Sequence, residues 1–260
     1  MAAKPWADGP LAMIPSPVFL TKKHDMWTSG ASHMCIVHNA IFRGYNTIYH
    51  QASHVADADK TDFIGYCLVW HKFVRTHAEN EEASLFPRAE GILDDDTIFK
   101  HAHEEHNAFM PGITQFYDYL QSLKTPKDFS AAKLITIMEA FQDAFEAHFK
   151  AEVLLIAGLA DHPNALKVGS PEELKSGRDF DAKEGMALLG SGPTDVIPFF
   201  LFNIDRAYEG GLWKDWPPIP APVRWTLVGT ARVLHSGWWK FASCNPDGYR
   251  KDLYATVNDS

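Results

Sequence analysis

Cysteine is scarce in this chain: three in 260 residues, Cys35, Cys67 and Cys244, widely spaced and never in a CxxC pair. That pattern excludes a disulfide framework and a thiolate zinc site, and it fits a reducing, cytoplasmic compartment. Basic charge is also short, with 24 Lys and Arg against 33 Asp and Glu and a formal net charge of -9. Because the acidic residues are scattered among the basic ones, there is no basic stripe for nucleic acid or an anionic membrane surface. The expected partners are small or neutral molecules. Long apolar runs are missing too: the longest in the second half, Val196 to Phe202, falls far below the ~20 residues that cross a bilayer. No membrane span is expected. The N-terminus carries Lys4, Trp6 and four prolines, Pro5, Pro10, Pro15 and Pro17, in place of the continuous apolar run of a secretory leader.

What the chain does have is 46% hydrophobic residues, enough for one large domain or a domain with a substantial extension, and 13 histidines, most of them in the first 162 residues. The first thirty residues read as an irregular arm wrapping the domain. Helical periodicity follows. From about Ser32 to Asp57, His38 shares a stripe with Ile41, Phe42, Tyr45, Ile48 and Tyr49. A second helix is predicted from Thr61 to Phe86, stopped by Pro87, with Cys67, Trp70, Phe73, Val74, His77, Glu81 and Leu85 on its inner face. The third begins near Asp95 or Asp96 and carries His103, His106, Phe109, Ile113 and Phe116, with a kink predicted at Pro111. The fourth runs from about Ser130 to Leu159 and holds Phe141, Phe145, His148, Glu152 and Ile156 inward.

Four long helices joined by short connections predict an all-α, up-down four-helix bundle. It would occupy residues 31–163, after the arm at 1–30 and before a C-terminal extension at 164–260. In that extension, loops with Gly and Pro precede Val196 to Trp213, a Pro-rich link and a predicted helix from Val223 to Phe241. Five of the eight tryptophans lie there. So aromatic a segment is expected to pack on the bundle or cap one end of it.

On a helix, residues four apart face one way about 6 Å apart along the axis, so His-x-x-x-Glu presents an imidazole and a carboxylate to one point. The chain has this pair twice, at His77/Glu81 and His148/Glu152, in a faint repeat of helix hairpins. With single histidines on the other two helices, the pairs would converge as a nitrogen- and oxygen-rich site for two cations sharing carboxylates. Such a donor set favours iron over zinc or manganese. A plain salt bridge at the end of a helix is the competing reading for His77 and Glu81, but both continue the buried Trp70–Phe73–Val74 stripe. An unpaired carboxylate there would cost several kcal/mol, roughly. Glu79, Glu82, Glu104 and Glu105 read as solvated charges or as groups that orient imidazole N–H. His24, His33 and His71 read as ordinary packed residues, and the His50/His54 pair as surface residues or an incidental zinc site.

These residues resemble a known family. The run His77-x-x-x-Glu81-Glu82-x-x-Leu85-Phe86-Pro87 is similar to the signature of hemerythrin-like, or HHE cation-binding, domains, and His38-Asn39, Glu105-His106 and His148-x-x-x-Glu152 fall where that family places its other ligands. The resemblance covers about Ala31 to Pro163. It implies a left-handed four-helix bundle enclosing a non-haem di-iron centre: two Fe ions joined by an oxo or hydroxo group and by Glu81 and Glu152, with His38, His77, His106 and His148 as terminal ligands and O2 as ligand or co-substrate. Oxygen carriers of the family have a further histidine four residues before His106, where this chain has Ala102. His103, rotated ~60° from His106, is expected to substitute as a metal ligand in preference to His101, at ~140°.

The missing histidine and the long extension favour an O2-dependent di-iron oxidoreductase acting on a small apolar organic substrate. The rival readings are an O2- or iron-binding or sensing protein, and a zinc-bound or partly empty centre in an interaction protein. For the extension, packing against the bundle and a lid over a substrate pocket both remain open.

Overall fold

A computed structural model describes residues 6–190 and 192–259, and among them the fold is helical, with one isolated β-bridge between Cys244 and Arg250. A short α1 (Pro17–Thr21) precedes α2 (Met26–Gln51), which starts a turn and a half earlier than its apolar periodicity predicts. The reason is Asp25, whose carboxylate accepts from the backbone N–H groups of Trp27 and Thr28 at 3.1 and 2.9 Å and caps the helix. The far end also stops early, breaking into two 3-10 turns between Ala52 and Asp59.

The second bundle helix, α3 (Lys60–Asn80), does not end at Pro87. It passes into a π-helical turn, Glu81–Leu85, and continues as α4, Phe86–Leu93. The Phe86 N–H reaches back to the Glu81 carbonyl, a five-residue spacing that admits one extra residue into the turn. Pro87 thus stands at the start of a new helix, where its missing N–H and fixed φ are harmless. α5 (Lys100–Gln121) runs on through Pro111, and α6 (Ala131–Gly158) starts where its periodicity predicts, with Ser130 as its cap.

α2, α3, α5 and α6 form a ring of adjacent pairs around a shared core. Trp70 is fully buried within it against Tyr45, Phe116, Phe141 and Phe145, and its indole N–H donates to the Ile41 carbonyl at 3.1 Å. The N-terminal arm lies along α2, held by two buried asparagines seven residues apart. Asn39 accepts from the Ile14 N–H and donates to its carbonyl, while Asn46 does the same with Leu11.

The extension contributes α7 (Pro171–Gly190), α8 (Val196–Asn203) and α9 (Ala221–Leu234), followed by a 3-10 turn at Trp238–Phe241. α7 lies where loops are predicted from the sequence. Its face alternates too little to show a clear stripe, yet Ser170 accepts from the Glu173 N–H and caps it in front of Pro171. α8 is buried along its whole length, with Phe199 against the rings of Tyr66 and Phe73. At its end Asn203 accepts from Tyr66 and Ser243 through its side chain, and from Arg43 through its main-chain carbonyl. The extension thereby packs onto the α2–α3 flank as part of the same apolar core.

One close fit in that seam is at Gly44, where an added Cβ would lie 2.5 Å from Phe199 Cζ and 2.5 Å from Trp70 Cδ1. Gly44→Ala is expected to destabilise the protein by about 1–3 kcal/mol, since over-packing outweighs the ~1 kcal/mol gain in helix propensity. Gly91→Ala in α4, with open space around it, should shift the urea midpoint the other way. Equal midpoints for the two variants would show that α8 is not seated against Gly44 in solution.

Candidate metal centre

α2, α3 with its π turn, α5 and α6 each bring polar groups to one level of the bundle. Two clusters result, His38/His77/Glu81/Glu152 and Glu81/His106/His148, with the donor atoms of each within 4.8 Å of one another. Glu81 belongs to both. Its Oε1 lies 2.7 Å from His77 Nε2 and 3.8 Å from His38 Nε2, and its Oε2 lies 3.4 Å from His106 Nε2. Glu152 Oε2 faces both sides too, 3.3 Å from His38 Nε2 and 3.9 Å from His148 Nε2. Each carboxylate is therefore placed to span two cation positions.

These close approaches are not a satisfied hydrogen-bond network. Glu81 Oε1, His106 Nε2, His148 Nε2 and both Glu152 oxygens are buried without a hydrogen-bond partner, although the carboxylates and rings are in near contact. Donors aimed at a common third centre, not at each other, leave this pattern, and leaving them unmatched in a dry core would cost about 1–3 kcal/mol each. The atoms present fit cations of the kind that take imidazole and carboxylate ligands.

The outer sides of the rings are fixed. Glu82 Oε1 holds His106 Nδ1 at 2.7 Å, Glu105 Oε2 holds His148 Nδ1 at 3.1 Å, and the Phe149 carbonyl holds His38 Nδ1 at 3.0 Å. With Nδ1–H donating outward, each Nε2 lone pair points into the site. Phe149 also sets its ring edge-on to His38 and His148 and parallel to His77, which excludes water from that side. The π turn lets Glu81 point inward while Glu82 reaches across to α5.

The electrostatics expose the same demand for positive charge. Burial pushes Glu81 up, but His77, His106 and His38 outweigh it and hold the carboxylate well below its usual range. Glu152 goes the other way, well above its usual range, first through burial and then through the Glu81 charge beside it. Burial lowers His148 to about 3, whereas the carboxylates of Glu81 and Glu82 overcome the burial of His106 and raise it to about 9.

Six of the seven residues expected from the sequence as ligands come together: His38, His77, Glu81, His106, His148 and Glu152. His103 does not join them. Its ring is 42% exposed and forms an ion pair with Glu82 on the solvent side, because the three-residue offset turns it toward that carboxylate. His101 is more exposed still and lies near Glu104 and Glu105. Ala102 faces inward and supplies no donor. Of the four outer glutamates, Glu82 and Glu105 orient imidazoles, Glu79 pairs with Arg75, and Glu104 sits beside His101. The carbonyl of Phe149 has no signature in sequence. His50 is bonded to the Gly9 carbonyl, away from the site.

Filling this site requires His106 to lose the proton it holds up to about 9, and works against the raised proton affinity of Glu152. Titration of the metal-free protein with Fe(II) or Zn(II) should therefore release protons, and affinity should climb as pH rises from neutrality toward 9. Calorimetry in buffers of different ionisation enthalpy reads the release. Binding without proton release at neutral pH would contradict this charge assignment.

No solved structure matches this chain. A curated relative from Cryptosporiopsis sp. (strain 8999), "Dimeric xanthone biosynthesis cluster protein R11", is 26% identical over 225 residues, spanning 86% of this chain and 81% of the relative. The Hemerythrin HHE cation binding domain matches residues 32–160, the segment that contains every residue of the two clusters. Through those residues the chain belongs to the hemerythrin HHE cation-binding domain family, with a C-terminal remainder beyond the matched domain.

Proposed function

We propose that the protein is a non-haem di-iron oxidoreductase that activates O2 for the oxidation of a small organic molecule. The observation that carries this reading is the sharing of Glu81 between the two clusters, with Glu152 facing both. Two cations bridged by carboxylates in a dry helical bundle are a setting for iron. The proposed ligands are His38 and His77 for one ion, His106 and His148 for the other, and Glu81 and Glu152 for both. Bound iron would supply the electrons that reduce O2.

The protein groups bind and tune. Glu82, Glu105 and the Phe149 carbonyl hold three imidazoles in one tautomer and make them better donors. The two buried carboxylates offset the ions' charge, and the surrounding rings of Phe109 and Phe149 keep bulk water out. With Ala102 four residues before His106, where carriers of the family have a histidine, each ion would be held by two imidazoles, and the His106/His148 side would have no further protein donor to offer. That favours reaction over reversible storage. A relative named for a biosynthesis cluster supports an enzymatic role, and xanthone chemistry supports an aromatic substrate. The extension packs on α2 and α3 about Arg43, Gly44, Tyr66 and Phe73, and reaches α4 through Phe180 of α7, over which the Arg88 guanidinium lies.

Metal analysis of protein expressed with iron should give two irons per chain, and zinc in their place would end the iron reading. Anaerobic reduction followed by O2, with aromatic substrates screened by mass spectrometry, should then give a product. A stable oxygenated form that releases O2 on degassing, with no product, would favour the carrier or sensor reading and defeat the enzymatic one. Glu82→Gln is expected to weaken metal binding by about 10–100-fold. His103→Ala should leave two ions bound, and loss of an ion would make His103 a ligand after all.

A further inference from the structure

α9 presents to solvent the kind of surface that a helix usually buries. It is anchored on one side only: Val228 and Ala231 are buried toward α8, and the Trp239 indole donates to the Ala231 carbonyl at 3.0 Å. On the other side Trp225 is 71% exposed and Val233 81% exposed, with Val223 and Leu234 uncovered along one edge. Thr226, Gly229 and Thr230 lie between them, all exposed. The helix has two charged residues, exposed Arg232 at the margin of this face and half-buried Arg224 behind it.

Gly229 has no explanation within the chain. It sits inside the helix, where glycine costs about 1 kcal/mol relative to alanine, and nothing across from it comes within 4 Å of the place a Cβ would take. A second helix crossing at this point would supply the reason, because a missing side chain lets two backbones approach. Trp225 and Val233 flank Gly229 one turn away in either direction, each rotated ~40° from it around the helix. In an antiparallel crossing with a two-fold axis at Gly229, Trp225 meets Val233 of a second copy, and the reverse contact follows by symmetry. Arg232 then meets Thr226, three residues to the other side of the axis, and not a like charge.

Charge and area point to the same occupant. The chain carries a net charge of -9, yet from Trp216 to Pro246 it has no Asp or Glu. Two acidic copies can therefore touch along α9 without opposing carboxylates. An anionic bilayer would find only Arg232 and half-buried Arg224 on this helix, and would repel the rest of an acidic chain. The uncovered apolar surface of α9 is roughly 500 Å², large for a single patch on a monomer. Two such faces would bury about 1,000 Å², the lower bound for specific association, so the pair is expected to dissociate in the micromolar range.

We propose that the exposed face of α9 is the contact between two copies of this chain, paired antiparallel across Gly229. The contact is separate from the proposed iron centre and does not rest on its chemistry. Sedimentation velocity of the full-length, metal-loaded protein, from about 1 μM to 1 mM, should show a reversible monomer–dimer equilibrium. Val233→Glu alters a side chain that is already in water, so the thermal midpoint and metal content should hold while the dimer dissociation constant rises at least tenfold. Gly229→Cys should form a covalent dimer on mild oxidation, since the three native cysteines are buried. Leu154→Cys, exposed on α6, should not. A monomer at every concentration, a dimer that survives Val233→Glu, or no cross-link from Gly229→Cys would each overturn the proposal. So would a protein that stays monomeric in solution and co-sediments with phosphatidylglycerol vesicles unless Val233→Glu is present, which would assign the face to a membrane surface.

Discussion

Glu81 and Glu152 sit within reach of the same imidazoles inside a core of phenylalanine rings, and neither carboxylate can be made comfortable by the protein alone. Three histidines hold the carboxyl of Glu81 low, while burial, and then the charge of Glu81, drives that of Glu152 up. A dry pocket containing two acids and four imidazoles with unmatched atoms is a large local expense in a molecule whose net stability is on the order of 5–15 kcal/mol. The helices must therefore be held together by something else, and the aromatic core around Trp70, together with α8 packed on its flank, is positioned to do that.

The same constraint explains the local irregularities. A regular α3 would carry Glu81 and Glu82 round the helix 100° apart with no extra residue between them and Pro87. The π turn inserts that residue where a proline would otherwise interrupt the ladder, so one glutamate turns inward and the next reaches α5. Glu82 then serves two histidines with opposite fates. It orients buried His106 through Oε1 and draws His103 to the solvent side through Oε2. One carboxylate thus sharpens the site and keeps a neighbouring imidazole out of it.

Much of this was legible in the sequence because helical spacing is a rigid ruler. His77/Glu81 and His148/Glu152 meet for the same reason that any residues four apart share a face, and the apolar stripes showed which face was inward. Features set by long-range contact were not legible. His103 and His106 differ by only three residues, and the choice between core and surface was made by Glu82 on another helix. Pro87 carried the standard meaning of a helix stop, which the π turn set aside. α7 was hidden by its polar composition, although the run Ser170, Pro171, Glu172, Glu173 already held a cap, a first-turn proline and acidic residues suited to a helix start. The early start of α2 was likewise written in Asp25, inside a stretch that its prolines made look irregular.

Arg43 shows why the extension belongs to the bundle's energetics and not only to its surface. On α2 alone it would be an arginine on the solvent side of a helix, its cost met by water. α8 and the turn after it close over that face together with the N-terminal arm, giving one nitrogen the Asn203 carbonyl and the guanidinium the rings of Tyr208 and Trp6 as neighbours. The closure also brings Phe199 against Gly44, the residue beside Arg43, so the tight apolar seam and the buried cation are formed in the same step. Covering the flank of the metal-bearing helix therefore creates a polar demand that the extension only partly meets, on the same helix that carries His38.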